Sequence, residues 1–488
     1  MATEEILDLQ LIKKRSVHGI ATLTLRTFFI QIFTFFATFI LTVLLDPATF
    51  GVYIIVSALI SVFIYFSDVG LAAALVQKKE DVTEKDLSST FTIQQTIVIA
   101  LVIIGFLFSS PIANFYNLSS DSLLLLRVLI FSLLLSSLKT IPSILLERKL
   151  LFTRLVIPQV LENIIFYTIA VVLAFYNFGI ASFTYAVLAR GVVGLVLIYI
   201  LSPWKPSISL EKETLKKLIY FGVPFQLNSI LALIKDDLLI VVLGKILPFS
   251  QIGLLGWAQK WSLIPLRFFM DSTIKVTFPV YSRLQEDKDH LRKAIEKSLQ
   301  FVTFSTFPAV TGIVIIAPLV VDLIPRYEKW EPALPLLYIY SINAAFAAVN
   351  TTLTNILFAL GKPKIVLNMM LFWTFFLWVL TFIFVKNYGY IGVAIASAIV
   401  AASTSIVIFF VKREVDVSIL KNVRVPIAST AAMLIVSKVA YLIIPQNALG
   451  LILLVIVGAI TYLATAYLFS GKEIKNNLAL VLNSIRSR

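Results

Sequence analysis

Three charged residues, Lys235, Asp236 and Asp237, stand in a row inside an apolar stretch running from about Leu218 to Gly244. Burying one charge in hydrocarbon costs a few kcal/mol, roughly 3 on insertion scales. Three together call for a polar interior rather than a lipid-facing wall. Other charges share that depth: Arg26, Asp68, Arg190, Lys260, Arg267 and Asp271. Arg26, Lys260 and Arg267 have the chemistry to hold phosphate, arginine through paired hydrogen bonds and lysine as a point charge. Asp237, Asp236, Asp68 and Asp271 are candidates to exchange a coupling proton or hold sodium. Neighbours on a helix point about 100° apart, so one of Asp236 and Asp237 faces such a cavity, and Asp237 is the first choice. Gln31, Gln226 and Asn228 can hydrogen-bond sugar hydroxyls.

Each assignment has a plainer competitor. Arg267 and Asp271 are four residues apart and can pair with each other. Asp68 can be a helix-end residue at the interface. Lys235 either serves the cargo or neutralises its neighbours. Arg127, Lys139, Glu162, Lys275 and Lys438 lie nearer span ends, where long side chains can snorkel. Asn343, Asn350 and Asn355 are read as joining helices. Trp257, Trp261, Trp330 and Tyr327 suit interfacial positions, with sugar stacking open for the first two.

The elements that position these residues follow from composition. Of 488 residues, 59% are hydrophobic and 14% charged, against about a quarter charged in soluble chains; mean hydropathy is +0.95. Apolar runs of about 20 residues, enough to cross a bilayer, repeat along the whole length. Their continuity predicts helices, one of the two backbone solutions that lipid permits. Spans are expected at 17–45, 52–75, 91–109, 122–141, 157–176, 180–201, 218–244, 252–282, 299–324, 334–360, 365–385, 389–411, 425–444 and 449–469. The fold class is thus an all-α multi-pass membrane protein of about fourteen transmembrane helices. The chain has no cysteine, which leaves thiol chemistry without material, and its two histidines, His18 and His290, supply histidine metal or triad chemistry poorly. No Gly-rich phosphate loop is present, so direct use of ATP is not expected, nor any cofactor beyond a coupling H+ or Na+.

The net charge of +14 has a topological explanation. With the N-terminus inside the cell, the cytoplasmic segments hold 28 Lys and Arg and the opposite connectors four: Lys245, Arg326, Lys329 and Lys386. That bias predicts both termini in the cytoplasm and needs no nucleic-acid partner. The basic tail is either solvated, the preferred reading, or an amphipathic helix on the leaflet.

The chain also looks doubled. Gly51 in LLDPATFGVY matches Gly253 in KILPFSQIGLL; Gln77 and Asp81 match Gln285 and Asp289; Pro111 matches Pro318; Asn177 and Gly179 match Asn387 and Gly389. The offsets cluster between 202 and 210. A six-span repeat enters the membrane twice in the same direction, so its halves relate by a pseudo-two-fold along the membrane normal. The expected organisation is a cytoplasmic N-terminus (1–16), an N-lobe (17–201), a linker (202–217), a C-lobe (218–411), an accessory pair of spans (412–469) and a basic tail (470–488).

These segments, with SDVGLAAALVQ, FGVPFQLNSILALIKDDLLIVVLGKILPFSQIGLLGWAQK and FPVYSRLQED, resemble the polysaccharide transporters of the multidrug/oligosaccharidyl-lipid/polysaccharide flippase superfamily. The resemblance covers nearly the whole chain. It implies an alternating-access flippase that carries a polyprenyl-diphosphate-linked oligosaccharide from the inner to the outer leaflet through a cationic cavity between two lobes. It implies no enzyme activity. By position, Arg26 and Gln31 resemble the polar positions of the first helix and Asp237 the acid of the seventh. The implied partners are the lipid-linked oligosaccharide, membrane lipids, and a polysaccharide polymerase with glycosyltransferases. Competing readings are a cation-coupled multidrug exporter of the same superfamily, a membrane-embedded transferase, and a non-transporting scaffold of envelope assembly.

Overall fold

The computed structural model describes residues 2–68, 70–78, 82–211 and 230–486. In chain order the helices are α1 (Ala2–Leu44), α2 (Pro47–Asp68), α3 (Leu71–Gln77), α4 (Glu84–Tyr116), α5 (Ser120–Leu138), α6 (Thr140–Arg148), α7 (Phe152–Phe175), α8 (Ala181–Leu201), α9 (Ile230–Leu233), α10 (Leu239–Ile246), α11 (Phe249–Arg283), α12 (Lys288–Leu323), α13 (Leu334–Ala359), α14 (Pro363–Tyr388), α15 (Ile391–Ala402), α16 (Thr404–Glu414), α17 (Ile419–Ile443) and α18 (Ala448–Arg486). A π-helical turn, Ile234–Leu238, joins α9 to α10.

Helix ends follow local chemistry. Asp46 accepts the Thr49 amide at 2.7 Å ahead of Pro47, which opens α2. Thr83 and Asp86 form a reciprocal capping box at the start of α4. Gly70, at φ 75°, breaks the second expected span into α2 and α3. The last helix carries a non-helical residue, Ser470, where the fourteenth expected span gives way to the tail.

Twelve helices or helix pairs among the described residues are long and apolar enough to cross a membrane. The fourteen-span expectation is therefore met in part. Most of the seventh expected span, at 218–229, lies outside the described residues. The eighth is present as the 35-residue α11, but Gln259, Lys260, Arg267, Asp271 and Lys275 dilute its apolar character. Side chains such as Phe175, Leu442 and Leu468 stay largely exposed, as outward residues do when the solvent is lipid.

The chain forms two compact units, Met1–Gly253 and Leu254–Arg488, with the boundary inside α11. The first unit centres on Leu41, Val56, Ile60, Val98, Leu125, Ile130, Ala170 and Ala186. The second centres on Leu291, Ile295, Val302, Leu353, Ile356, Val407 and Val411.

Within the first unit, Gly51 and Gly253 make reciprocal contacts. A Cβ at Gly51 would meet the Phe249 carbonyl, and one at Gly253 would meet the Pro47 carbonyl. Phe249 follows Pro47 by the same 202 residues that separate the glycines. Partner exchange of this kind is the signature of a local two-fold joint. Two further repeat matches share local structure: Gly179 and Gly389 both take left-handed φ, and Pro111 and Pro318 both lie inside helices, α4 and α12.

Candidate functional site

The charged triplet sits on the π-helical turn. Such turns carry an extra residue per turn and recur at functional sites. Here the turn sends the two acids different ways. Lys235 bonds Asp236, the more exposed of that pair at 59%. Asp237 is half-buried. The Ser61 hydroxyl of α2 lies within hydrogen-bonding reach of its carboxylate and 3.2 Å from the Ser57 carbonyl; one hydroxyl hydrogen serves only one of them. Among the described residues Lys235 thus pairs with its own neighbour, not with an acid on another helix.

The rest of this segment is pinned to the same unit. The Tyr116 hydroxyl donates to the Val241 carbonyl at 2.8 Å. Lys245 donates to the Phe115 carbonyl at 2.7 Å and lies over its ring. Gly244 lets α10 approach Ile55 of α2.

Arg26, on α1, is half-buried, and its Nε is shielded from solvent without a hydrogen-bond partner. A guanidinium held this way has donors to offer an incoming acceptor. Gln31, five residues on, is engaged in a contact of its own. Asp68 ends α2, and its carboxylate accepts the Ala72 amide at 3.2 Å and the Gln94 side-chain amide at 3.4 Å. Asp68 therefore caps α3, whose far end is clamped by Arg148 through the carbonyls of Leu75, Val76 and Lys78. Asn228, with Gln226, lies outside the described residues.

Three groups expected to snorkel are instead tied inward. Arg127 donates to the Ser109 and Ser110 hydroxyls. Lys139 and Glu162 form a half-buried ion pair at 2.8 Å. Arg190, expected at membrane depth, lies 5.2 Å over the Phe166 ring.

In the second unit, Lys260 and Arg267 occupy one face of α11, two turns apart and close enough to repel. Arg267 is exposed and forms no ion pair with a described residue; Asp271 is also exposed. Trp257, Trp261, Tyr327 and Trp330 are buried on one another, with Trp257 donating to the Tyr327 hydroxyl at 3.1 Å. That packing removes Trp257 and Trp261 from sugar stacking. Asn343 donates to Ser397 and joins α13 to α15, while the buried Asn350 Oδ1 has no partner.

Sequence reasoning missed one polar construction altogether. The connector after α8 is stitched along α4. Ser209 N donates to Thr92 and Glu211 N to Ser89; Ser88 pairs with Ser207; Trp204 meets Phe91 edge-to-face and donates to Glu84. The signal was the hydroxyl- and amide-rich run SSTFTIQQT opening the third span.

The chain matches the family model described as "Polysaccharide biosynthesis protein" over residues 40–335. It is 24% identical over 480 residues, 96% of each chain, to an uncharacterized membrane protein in the cps region of Klebsiella pneumoniae. It is 22% identical to the lipopolysaccharide biosynthesis protein WzxC of Escherichia coli, over 75% of each chain. It is also 22% identical to the succinoglycan biosynthesis transport protein ExoT of Rhizobium meliloti, over 68% of this chain and 66% of that one. In fold it is similar to the lipid II flippase MurJ in an inward closed conformation, with TM-score 0.74, 19% identity, and 92% of this chain and 99% of that one covered. A multidrug resistance MATE family transporter of the MOP superfamily, in an inward-facing conformation, aligns with TM-score 0.59 and 16% identity, over 81% of this chain and 98% of that one. The chain belongs to the polysaccharide biosynthesis protein family.

Proposed function

We propose that the protein is a flippase for a lipid-linked oligosaccharide, moving its polar head group between leaflets by alternating access. Fourteen spans, two six-helix lobes and cytoplasmic termini belong to this reading. The supporting observation is a surplus of cations that lack carboxylate partners among the described residues: Arg26 with its shielded, unpartnered Nε, and the exposed Arg267. A diphosphate supplies the missing acceptors. Diphosphate and sugars cannot enter hydrocarbon unaided, whereas a prenyl chain remains in lipid. Distributed cations also suit release better than one deep clamp. Relatives named for lipopolysaccharide and succinoglycan biosynthesis agree with such a cargo.

The further substrate-binding candidates in this reading are Lys260 as a point charge, Gln31 and Asn228 for sugar hydroxyls, and Lys235. Asp237, set on the π-helical turn, is the first candidate for ion coupling, and Asp236, Asp68 and Asp271 follow. The test is Arg26→Ala and Arg267→Ala in cells, each checked for normal protein level and monodisperse elution. Both should lose surface polysaccharide. Normal polysaccharide in both sinks the cationic-cavity reading and favours a scaffold. Efflux of a cationic dye that is lost in Asp237→Asn favours a drug exporter.

A further inference from the structure

The connector after α8 divides into an anchor and a zip. The anchor is Trp204, buried among Leu71 and Leu75 of α3, Leu87 and Phe91 of α4, and Ile141 and Ile144 of α6. Its indole nitrogen donates to Glu84 at 3.3 Å. The zip runs over residues 207–211, which form no helix or strand of their own. Ser207 meets Ser88, the Ser209 amide donates to Thr92 at 3.1 Å, and the Glu211 amide donates to Ser89 at 3.2 Å. Alternate residues thus face α4, and those between them face away: Ile208 is 86% and Leu210 66% exposed.

The two parts differ in what holds them. Trp204 is held by burial of a large ring. Beyond it no apolar side chain of residues 205–211 is buried. The zip is held by hydrogen bonds and by one exposed ion pair, Lys85–Glu211 at 3.9 Å, of a kind that contributes little. Nor does α4 depend on the zip. The Thr92 hydroxyl already donates to the Ser88 carbonyl, one turn back, at 2.7 Å, and serine hydroxyls on a helix turn to their own carbonyls in the same way. Each hydrogen bond makes a modest net contribution, and the backbone entropy lost in ordering the segment opposes it. A segment so balanced, with few buried apolar contacts, lies at the low end of local opening free energies.

We infer that residues 205–211 are a releasable strap, zipped along α4 in this structure and unzipped during the transport cycle, with Trp204 as the fixed point. The consequence lies in the chain that follows. The π-helical turn after α9 carries Lys235, Asp236 and Asp237, and the strap is part of the tether joining that segment to α8. Unzipping returns residues 205–211, up to about 23 Å of extended chain, to the tether. Zipped, the tether is short and limits the travel of the charged triplet; unzipped, it permits that travel. The role in a cycle rests on the flippase reading, whereas the opening itself does not.

The chain has no cysteine, so Ser88→Cys/Ser207→Cys supplies one pair of thiols and no other. The two hydroxyls are in contact, which puts their Cβ atoms within reach of a disulfide. In the purified full-length protein, hydrogen exchange is read at the Ser209 and Glu211 amides with the bridge reduced and then oxidised. Oxidation should slow both by at least about tenfold, because it blocks the opening through which they exchange. Parental amides already as protected as the interior of α4, or rates that the bridge leaves unchanged, overturn the strap. In cells, oxidation with diamide should stop new surface polysaccharide and a reductant should restore it, while each single-cysteine variant responds to neither. Export at the parental rate through fully bridged protein overturns the role in the cycle. Thr92→Cys/Ser209→Cys, at the 3.1 Å bond, repeats both measurements, read at the Glu211 amide, where the first pair disturbs folding. Exchange needs no cargo, so normal polysaccharide in the Arg26 and Arg267 variants leaves its result standing.

Discussion

Consider the joint at Gly51 and Gly253. A Cβ at Gly51 would lie 2.6 Å from the Phe249 carbonyl carbon, nearer still to its oxygen, and 3.1 Å from the Gly253 nitrogen. Comfortable carbon contacts need about 3.5–4.0 Å, so Gly51→Ala must open the joint by about 1 Å. No flexible side chain can yield there, since the opposing atoms are backbone at the start of α11. Overpacking of this kind costs about 1–3 kcal/mol. Gly253→Ala presses the Pro47 carbonyl carbon at 2.7 Å and carries a similar cost. Both wedges open the same joint, so the double variant should cost clearly less than the sum, with a coupling of about 1–2 kcal/mol. Gly312→Ala is the control: its nearest neighbour is Met433 Cε at 3.8 Å, an ordinary contact, and alanine favours the helix by about 0.5–1 kcal/mol. Denaturant unfolding in mixed micelles, followed by tryptophan fluorescence, measures all four variants. Strict additivity of the two glycine changes, or stability equal to the parent in either, refutes the reciprocal joint.

Two other predictions concern polar fastenings. Arg148→Met removes a charged donor from three carbonyls of α3; each charged bond is worth about 1.5–3 kcal/mol. Hydrogen exchange over 71–78 should therefore accelerate at least about tenfold, and unchanged exchange would dismiss the clamp. Ser89→Ala with Thr92→Val unstitches the connector, so the amides of Ser209 and Glu211 should exchange faster while those of α7 stay protected.

Much of the architecture was legible because lipid imposes it. Apolar runs separated by polar connectors announced the helices, and the second expected span was misjudged only where Gly70 turns it into α2 and α3. The doubled pattern was readable from Gly51 and Gly253, but only coordinates show that each glycine rests on the partner's helix start. The site was less legible. Asp237 was separated from Asp236 by helical geometry, yet an ordinary helix has no way to foretell the π turn or the Ser61 hydroxyl near it. Lys139 and Glu162 read as snorkelling residues because their depth was inferred from position along a span, and position says nothing about a partner 23 residues away. The tryptophans read as interfacial for the same reason.

What the amino-acid sequence determined by itself was the class of molecule. A low share of charge, long apolar runs and an uneven split of lysine and arginine between alternate connectors are averages over many residues, and the partition into lipid depends on such averages. The tertiary structure decided which charges are spent on one another and which are left over. Lys235 goes to Asp236 and Lys139 to Glu162, while Arg26 and Arg267 form no ion pair with a described residue. Pairing depends on ångström distances between residues far apart in the chain, and in a low-dielectric medium those distances govern the energy of a charge.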